Sequence, residues 1–188
     1  MHYAIIMIKM KFNNKGFTLI EMIVTIGILG ILAVTAITAL NPFAQFQKAN
    51  DAKRKGDLSQ IQKALESYYD DYKAYPDSKK SGNYYYLNPI TTPPAGKTIK
   101  AWGSSWQPYM NVIPKDPSSG KYYVYYSPPT LPDGTVFNGQ GYCLYASLDK
   151  NNDPGLCFSG GAKCTNAPAG ACGSGVCNFG ICSPNASP

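Results

Sequence analysis

Histidine is nearly absent: among 188 residues there is one, His2. The side chain most used for general acid–base work and for zinc is therefore missing from the body of the chain. No nucleophile motif and no phosphate-binding glycine loop occurs either, so no constellation for catalysis is present. Long apolar runs are lacking beyond residue 46, where Tyr, Gly, Pro and Asn dominate. Acidic residues are fewer than basic ones, 11 against 17, for a formal net charge of +6. That excess is not gathered into a nucleic-acid patch: Lys9, Lys11 and Lys15 precede the apolar run, and Lys48, Lys53, Arg54 and Lys55 follow it. Anionic lipid headgroups or acidic groups of a protein partner are the expected contacts of the second cluster, beside plain solvation.

Apolar length is concentrated at the start. Phe17 to Leu40 reads FTLIEMIVTIGILGILAVTAITAL, with Glu21 as its one charge. As a helix this run rises about 36 Å, enough for a hydrocarbon core of roughly 30 Å. Lysines on its N-terminal side predict a cytoplasmic N-terminus and an extracytoplasmic remainder. An ordinary secretory signal is cut after its apolar stretch. Here the charged leader ends in Lys15-Gly16, directly before the stretch.

The order Lys15-Gly16-Phe17-Thr18-Leu19-Ile20-Glu21, followed by the apolar run, resembles the class III signal of bacterial type IV prepilins and pseudopilins. The resemblance implies cleavage between Gly16 and Phe17 by a membrane-embedded prepilin peptidase, then N-methylation of Phe17. It also implies that Glu21 pairs with the Phe17 amine of a neighbouring subunit. A carboxylate inside an apolar span costs a few kcal/mol, which makes Glu21 a functional candidate by default. The chain would then be an enzyme's substrate and a structural subunit. Its implied partners are further copies of itself, minor pilins, an inner-membrane assembly platform and membrane lipid. Met10 opens MKFNNKG, a complete leader by itself, so translation is expected to start at Met10 or Met7; a precursor peptide containing His2 would overturn this.

The expected fold is α+β and pilin-like: a long N-terminal helix on a small antiparallel sheet, with a disulfide-rich tail. The expected segments are a leader at 1–16, an assembly helix at 17–46, an amphipathic helix at 47–76, a β head at 77–156 and a tail at 157–188. Asn41-Pro42 predicts an interruption of the helix, with Gly27 and Gly30 as weak points. Leu58, Ile61, Leu65, Tyr68 and Tyr72 recur at helical spacing and should pack on the sheet, and Pro76 should end the helix. Strands are expected at Tyr84–Leu87, Tyr122–Tyr126 and Tyr142–Leu148, half-buried with a wet outer face. The segment Ile113-Pro114-Lys115-Asp116-Pro117, then Gly120-Lys121-Tyr122, is similar to a connection in pseudopilin heads, as is Tyr75-Pro76.

Cys143, Cys157, Cys164, Cys172, Cys177 and Cys182 crowd the last quarter and read as disulfides rather than zinc ligands. Sequential pairing, Cys143–Cys157, Cys164–Cys172 and Cys177–Cys182, is the expectation among fifteen connectivities. Asp149, Asn151 and Asp153 alternate as oxygen donors do in calcium loops, and major secretion pseudopilins bind calcium in a comparable late loop. An Asn/Asp-rich turn without metal is the other reading. Asn185-Ala186-Ser187 fits the glycosylation acceptor pattern, a match too short to carry weight. Tyr75-Pro76 and the Pro114–Pro117 segment lean toward a secretion pseudopilin, and the cysteine-rich tail tips the balance toward a surface pilin. A membrane-anchored adhesin that never polymerises is the reading from a different class; it has no need of Glu21 or of cleavage at Gly16-Phe17.

Overall fold

The computed structural model describes residues 16–82, 84–92, 96–128, 139–184 and 188. The leader through residue 15, with its candidate start sites, and the Asn185-Ala186-Ser187 match lie outside them. The chain divides between Pro42 and Phe43 into two compact units.

The first unit carries helix α1, Leu19–Leu40. It is continuous through Gly27 and Gly30, and among the described residues none of its side chains is buried. Thr25, Thr35 and Thr38 turn their hydroxyls back onto carbonyls of their own helix, at 2.9 Å to Met22, 2.9 Å to Leu32 and 3.0 Å to Thr35. Those bonds satisfy polar groups that a hydrocarbon surrounding could not. The helix stops at Asn41, which sits in the left-handed region at φ 41°, a conformation asparagine tolerates. Helix α2, Pro42–Tyr72, begins one residue later. Proline suits that first position because its missing N–H would find no partner there anyway. The expected interruption is present, as a stop and restart rather than a proline kink inside one helix.

In the second unit, α2 buries Leu58, Ile61 and Leu65 completely and Tyr68 almost so. Each buried aliphatic side chain contributes about 1.5–3 kcal/mol. Tyr72, the last of the expected stripe, is half-exposed and stacks on Tyr68 with ring centroids 4.5 Å apart. The helix ends there rather than at Pro76. Lys73 turns left-handed at φ 53° while its N–H closes the last turn on the Tyr69 carbonyl at 2.7 Å.

Two small hairpins follow, β1 (Asp77–Ser81) with β2 (Tyr84–Asn88), and β3 (Ile90–Thr92) with β4 (Gly96–Lys97). A three-stranded antiparallel sheet then forms in the order β5 (Val124–Tyr126), β6 (Cys143–Ala146), β7 (Phe179–Cys182). Two expected strands are shorter than anticipated because other groups take their backbone bonds. The Tyr122 N–H donates to the Cys172 carbonyl, and Leu148 is bracketed by the Asn178 side-chain amide at 2.7 and 3.2 Å. The third strand comes from the cysteine-rich tail and was not anticipated.

Alternation along β5 and β6 divides two cores. Tyr123, Tyr125, Tyr142, Leu144 and Ala146 pack with Leu58, Ile61 and Leu65 of α2. Val124, Cys143 and Tyr145 pack with Cys164, Ala167, Ala171, Cys172 and Cys177 of the tail. The outer face expected to be wet is therefore covered, and all four residues of β6 are buried. The tail is pinned where Gly173 passes Gly120. A Cβ on Gly173 would lie 2.0 Å from the Gly120 carbonyl oxygen, and its φ of +72° also suits glycine alone.

All six cysteines are paired, but not in sequence order: the bonds are Cys143–Cys182, Cys157–Cys164 and Cys172–Cys177. Sequential pairing fails because β7 returns beside β6 and sets Cys182 opposite Cys143 in the ladder. Loop length ranks the three. Cys143 and Cys182 are 39 residues apart, against 7 and 5 for the others. In the chain-entropy account this gives about 4 kcal/mol for the first and about 2 kcal/mol for each of the others. Paired alanine replacements followed by denaturant unfolding should reproduce that ranking. A Cys143→Ala/Cys182→Ala chain no weaker than the other two would contradict it.

Candidate functional site

Thr18-Leu19-Ile20-Glu21 is a Thr-x-x-Glu sequence ahead of an apolar run, the pattern of a reciprocal helix cap. Thr18 is the extended N-cap, and its hydroxyl accepts from the Glu21 N–H at 3.3 Å. In return the Glu21 carboxylate accepts from the Thr18 N–H at 2.8 Å and the Thr18 hydroxyl at 2.9 Å. Gly16 and Phe17 precede the cap, exposed and outside any helix. Glu21 thus has a local partner in the isolated chain, at the helix end where the backbone dipole favours negative charge. The cap lowers the cost of carrying a carboxylate into the apolar run. Its signature stands in the sequence.

A second assembly of charge lies at the start of α2. Arg54 is fully buried and holds three carboxylates. It grips Asp116 through two bonds, Nε to Oδ2 at 2.8 Å and Nη2 to Oδ1 at 3.0 Å. Its Nη1 donates to Asp51 at 2.8 Å and to Asp149 at 2.7 Å, and its Nη2 donates to the Ser118 hydroxyl at 2.6 Å. Asp51 in turn accepts from the backbone N–H groups of Asp149 and Lys150 at 2.8 and 3.0 Å. Lys121 pairs with the second oxygen of Asp149, and Lys55 pairs with Asp153 at 2.5 Å. The aspartate of the Pro114–Pro117 segment is therefore the bidentate partner of a helix arginine. That fork-to-fork geometry is available to arginine and not to lysine.

This network revises two expectations. Of the basic cluster after the span, Arg54 is consumed inside the head and Lys55 is tied to Asp153, leaving Lys48 and Lys53 exposed on the helix. The expected calcium loop is also otherwise occupied. Both oxygens of Asp149 carry cations of the chain itself, one oxygen of Asp153 carries another, and Asn151 is exposed. Among the described residues no group of three His, Cys, Asp or Glu side chains stands close enough to hold a metal ion. A calcium ion needs six to eight oxygens; these residues, as arranged, do not fit one.

Titration follows from the same geometry. Burial works against the Arg54 charge, but the bonds and charges of Asp116 and Asp149 outweigh it and hold its pKa above the ordinary value. Burial would raise Asp149, yet Arg54 and Lys121 hold its carboxyl below the usual range; the bond from Lys55 does the same for Asp153. Depressed carboxyls stabilise the fold above their unfolded pKa of about 4, and that stability is lost as the pH falls through the folded values.

Two family models match the sequence. The prokaryotic N-terminal methylation motif covers residues 11–37, and type II secretion system (T2SS), protein G, covers residues 41–139. No curated protein and no solved structure matches the chain. The first match takes in Gly16, Phe17 and Glu21; the second takes in α2, Arg54 and Asp116, and stops before Cys143. Because the second spans more than half of the chain, this protein belongs to the T2SS protein G family, and with its methylation motif it is a subunit of the pilin and pseudopilin kind.

Proposed function

We propose that the chain is a filament subunit, cut between Gly16 and Phe17 by a prepilin peptidase, N-methylated at Phe17 and polymerised through α1. One observation carries the reading: α1 is an apolar helix of 22 residues, none of which is buried among the described residues. Lipid covers it in the precursor, with the N-terminus cytoplasmic and the head beyond the membrane. After assembly the same helices of neighbouring copies cover it. Glu21 then exchanges its Thr18 contacts for the Phe17 amine of a neighbour, which rewards correct register. Minor pilins and an inner-membrane platform are the further partners of such assembly.

The three-disulfide tail favours a surface pilus as the filament. A secretion pseudopilus is the second reading, favoured by the T2SS protein G match. Intact mass and N-terminal sequencing of sheared surface filaments and of membranes test both. A chain starting at N-methylated Phe17 in the sheared fraction is the expected result. Processed chain confined to membranes points to the pseudopilus, and chain that keeps Gly16 sinks the proposal and leaves the anchored adhesin. Glu21→Ala is expected to be processed normally yet to be lost from sheared filaments.

A further inference from the structure

The loop after β6 sits where the family resemblance implied calcium, and what holds that loop is unlike a metal site. Three carboxylates, Asp51, Asp116 and Asp149, meet at Arg54, and a fourth, Asp153, is held by Lys55. Three cations of the chain meet them, Arg54, Lys55 and Lys121. The remaining negative charge is met by backbone N–H groups: Asp149 and Lys150 donate to Asp51, Ser118 to Asp116 and Gly155 to Asp153. We propose that Arg54, Lys55 and Lys121 stand in place of a bound divalent cation, so that this head folds and assembles without calcium.

The physical case rests on what each carboxylate oxygen faces. A calcium ion gathers oxygens at about 2.3–2.6 Å. To reach both oxygens of Asp149 it would have to displace a guanidinium that is itself buried and bound to Asp116. It would also have to expel the Lys121 ammonium, which donates to the Ser147 carbonyl as well as to Asp149. The alternative, calcium added to the existing set, places a dication beside three fixed positive charges.

Fixed cations also differ from a metal in what they join. Arg54 and Lys55 belong to α2, whereas Lys121 belongs to the segment before β5. The loop is thereby fastened to the helix and to the segment that leads into β5 by groups that no chelator removes. Its closure is a property of the folded chain rather than of the surrounding ion concentration.

The test uses the full processed chain in detergent micelles, with calcium chloride as the probe. Thermal midpoints in millimolar calcium and in excess EDTA are expected to coincide, because a ligand that does not bind the folded state cannot shift its stability. A midpoint higher by several degrees in calcium overturns the proposal. The cations must also carry the stability attributed to them. In EDTA, Lys121→Gln and Lys55→Gln are each expected to melt below the parent. Both melting with the parent would show that the lysines hold nothing, and the proposal falls on that result too.

Discussion

Raising the pH above 10 is expected to unfold the head within about one to two pH units, through its buried tyrosines. Tyr75, Tyr123, Tyr125 and Tyr142 are at most 8% exposed. Burial is the largest influence on each and pushes the phenol pKa up. Carboxylates add to it: Tyr123 donates to Asp57 at 2.7 Å, and Tyr75 and Tyr142 both donate to Glu66 at 2.9 Å. Tyr125 donates to the Pro76 carbonyl. Ionising any of the first three would set a phenolate against a carboxylate, so the folded state keeps those protons while the unfolded chain releases them near pH 10.

The sign follows directly. A raised folded pKa gives stability that is intact below the unfolded value and is lost as the pH climbs through the folded one. Four such groups remove about 5.5 kcal/mol per pH unit above 10, at roughly 1.4 kcal/mol each. A domain of ordinary stability, about 5–15 kcal/mol, cannot withstand two units of that slope. Tyrosinate absorbance and circular dichroism, followed together in brief incubations, check this. Of the fifteen tyrosines, the exposed ones should titrate gradually. Tyr75, Tyr123, Tyr125 and Tyr142 should appear in one steep step that coincides with loss of tertiary signal. Smooth titration of every tyrosine with the fold intact would contradict the assignment.

Much of this could be read from residues in order along the chain, and the misses share a cause. The apolar helix was plain because 24 residues with one charge are a local property of composition. The apolar stripe of α2 was equally plain through Tyr68, but its polar continuation was not. Asp51 and Arg54 extend the same spacing toward the N-terminus and are just as buried, yet a stripe traced by apolar residues passes them over. What buries them lies far along the chain, at Asp116 and Asp149. The tail misled for a similar reason. Its scarcity of large apolar residues was legible, whereas its use as a cover for the outer face of β6 depends on β7 returning to the sheet. Once that strand is in place the pairing of Cys143 with Cys182 follows; from spacing alone the neighbours in sequence were the natural guess. Period and composition are carried by neighbours along the chain, but charge pairing and strand return are set by contacts between distant segments.

Replacing Arg54 by alanine is expected to cost about 3–5 kcal/mol, the range for a buried ion pair that loses one member. The loss exceeds that of an exposed pair because the groups left behind are themselves buried. Asp116 has a fully buried side chain and Asp51 one that is 4% exposed, and neither can turn to water without opening the loops that Arg54 holds. The pH dependence separates this from a simple packing defect. In the parent, acid weakens the head, since Asp149 and Asp153 have depressed pKa values and their stability disappears as they are protonated. In Arg54→Ala, buried carboxylates without their cation are relieved by protonation, so the deficit relative to the parent should shrink as the pH falls. A deficit that stays constant with pH would mean that lost packing, not stranded charge, sets the cost. A second variant sharpens the comparison: Arg54→Met with Asp116→Asn and Asp149→Asn removes charge on both sides and keeps much of the volume. It should recover a large part of the loss, because exchanging most of a buried charge set for neutral groups is far cheaper than stranding its carboxylates, and of Arg54's three only Asp51 then stays charged. Its own stability should also fall less in acid than the parent's, since the Asp149 carboxyl that Arg54 and Lys121 hold down is gone.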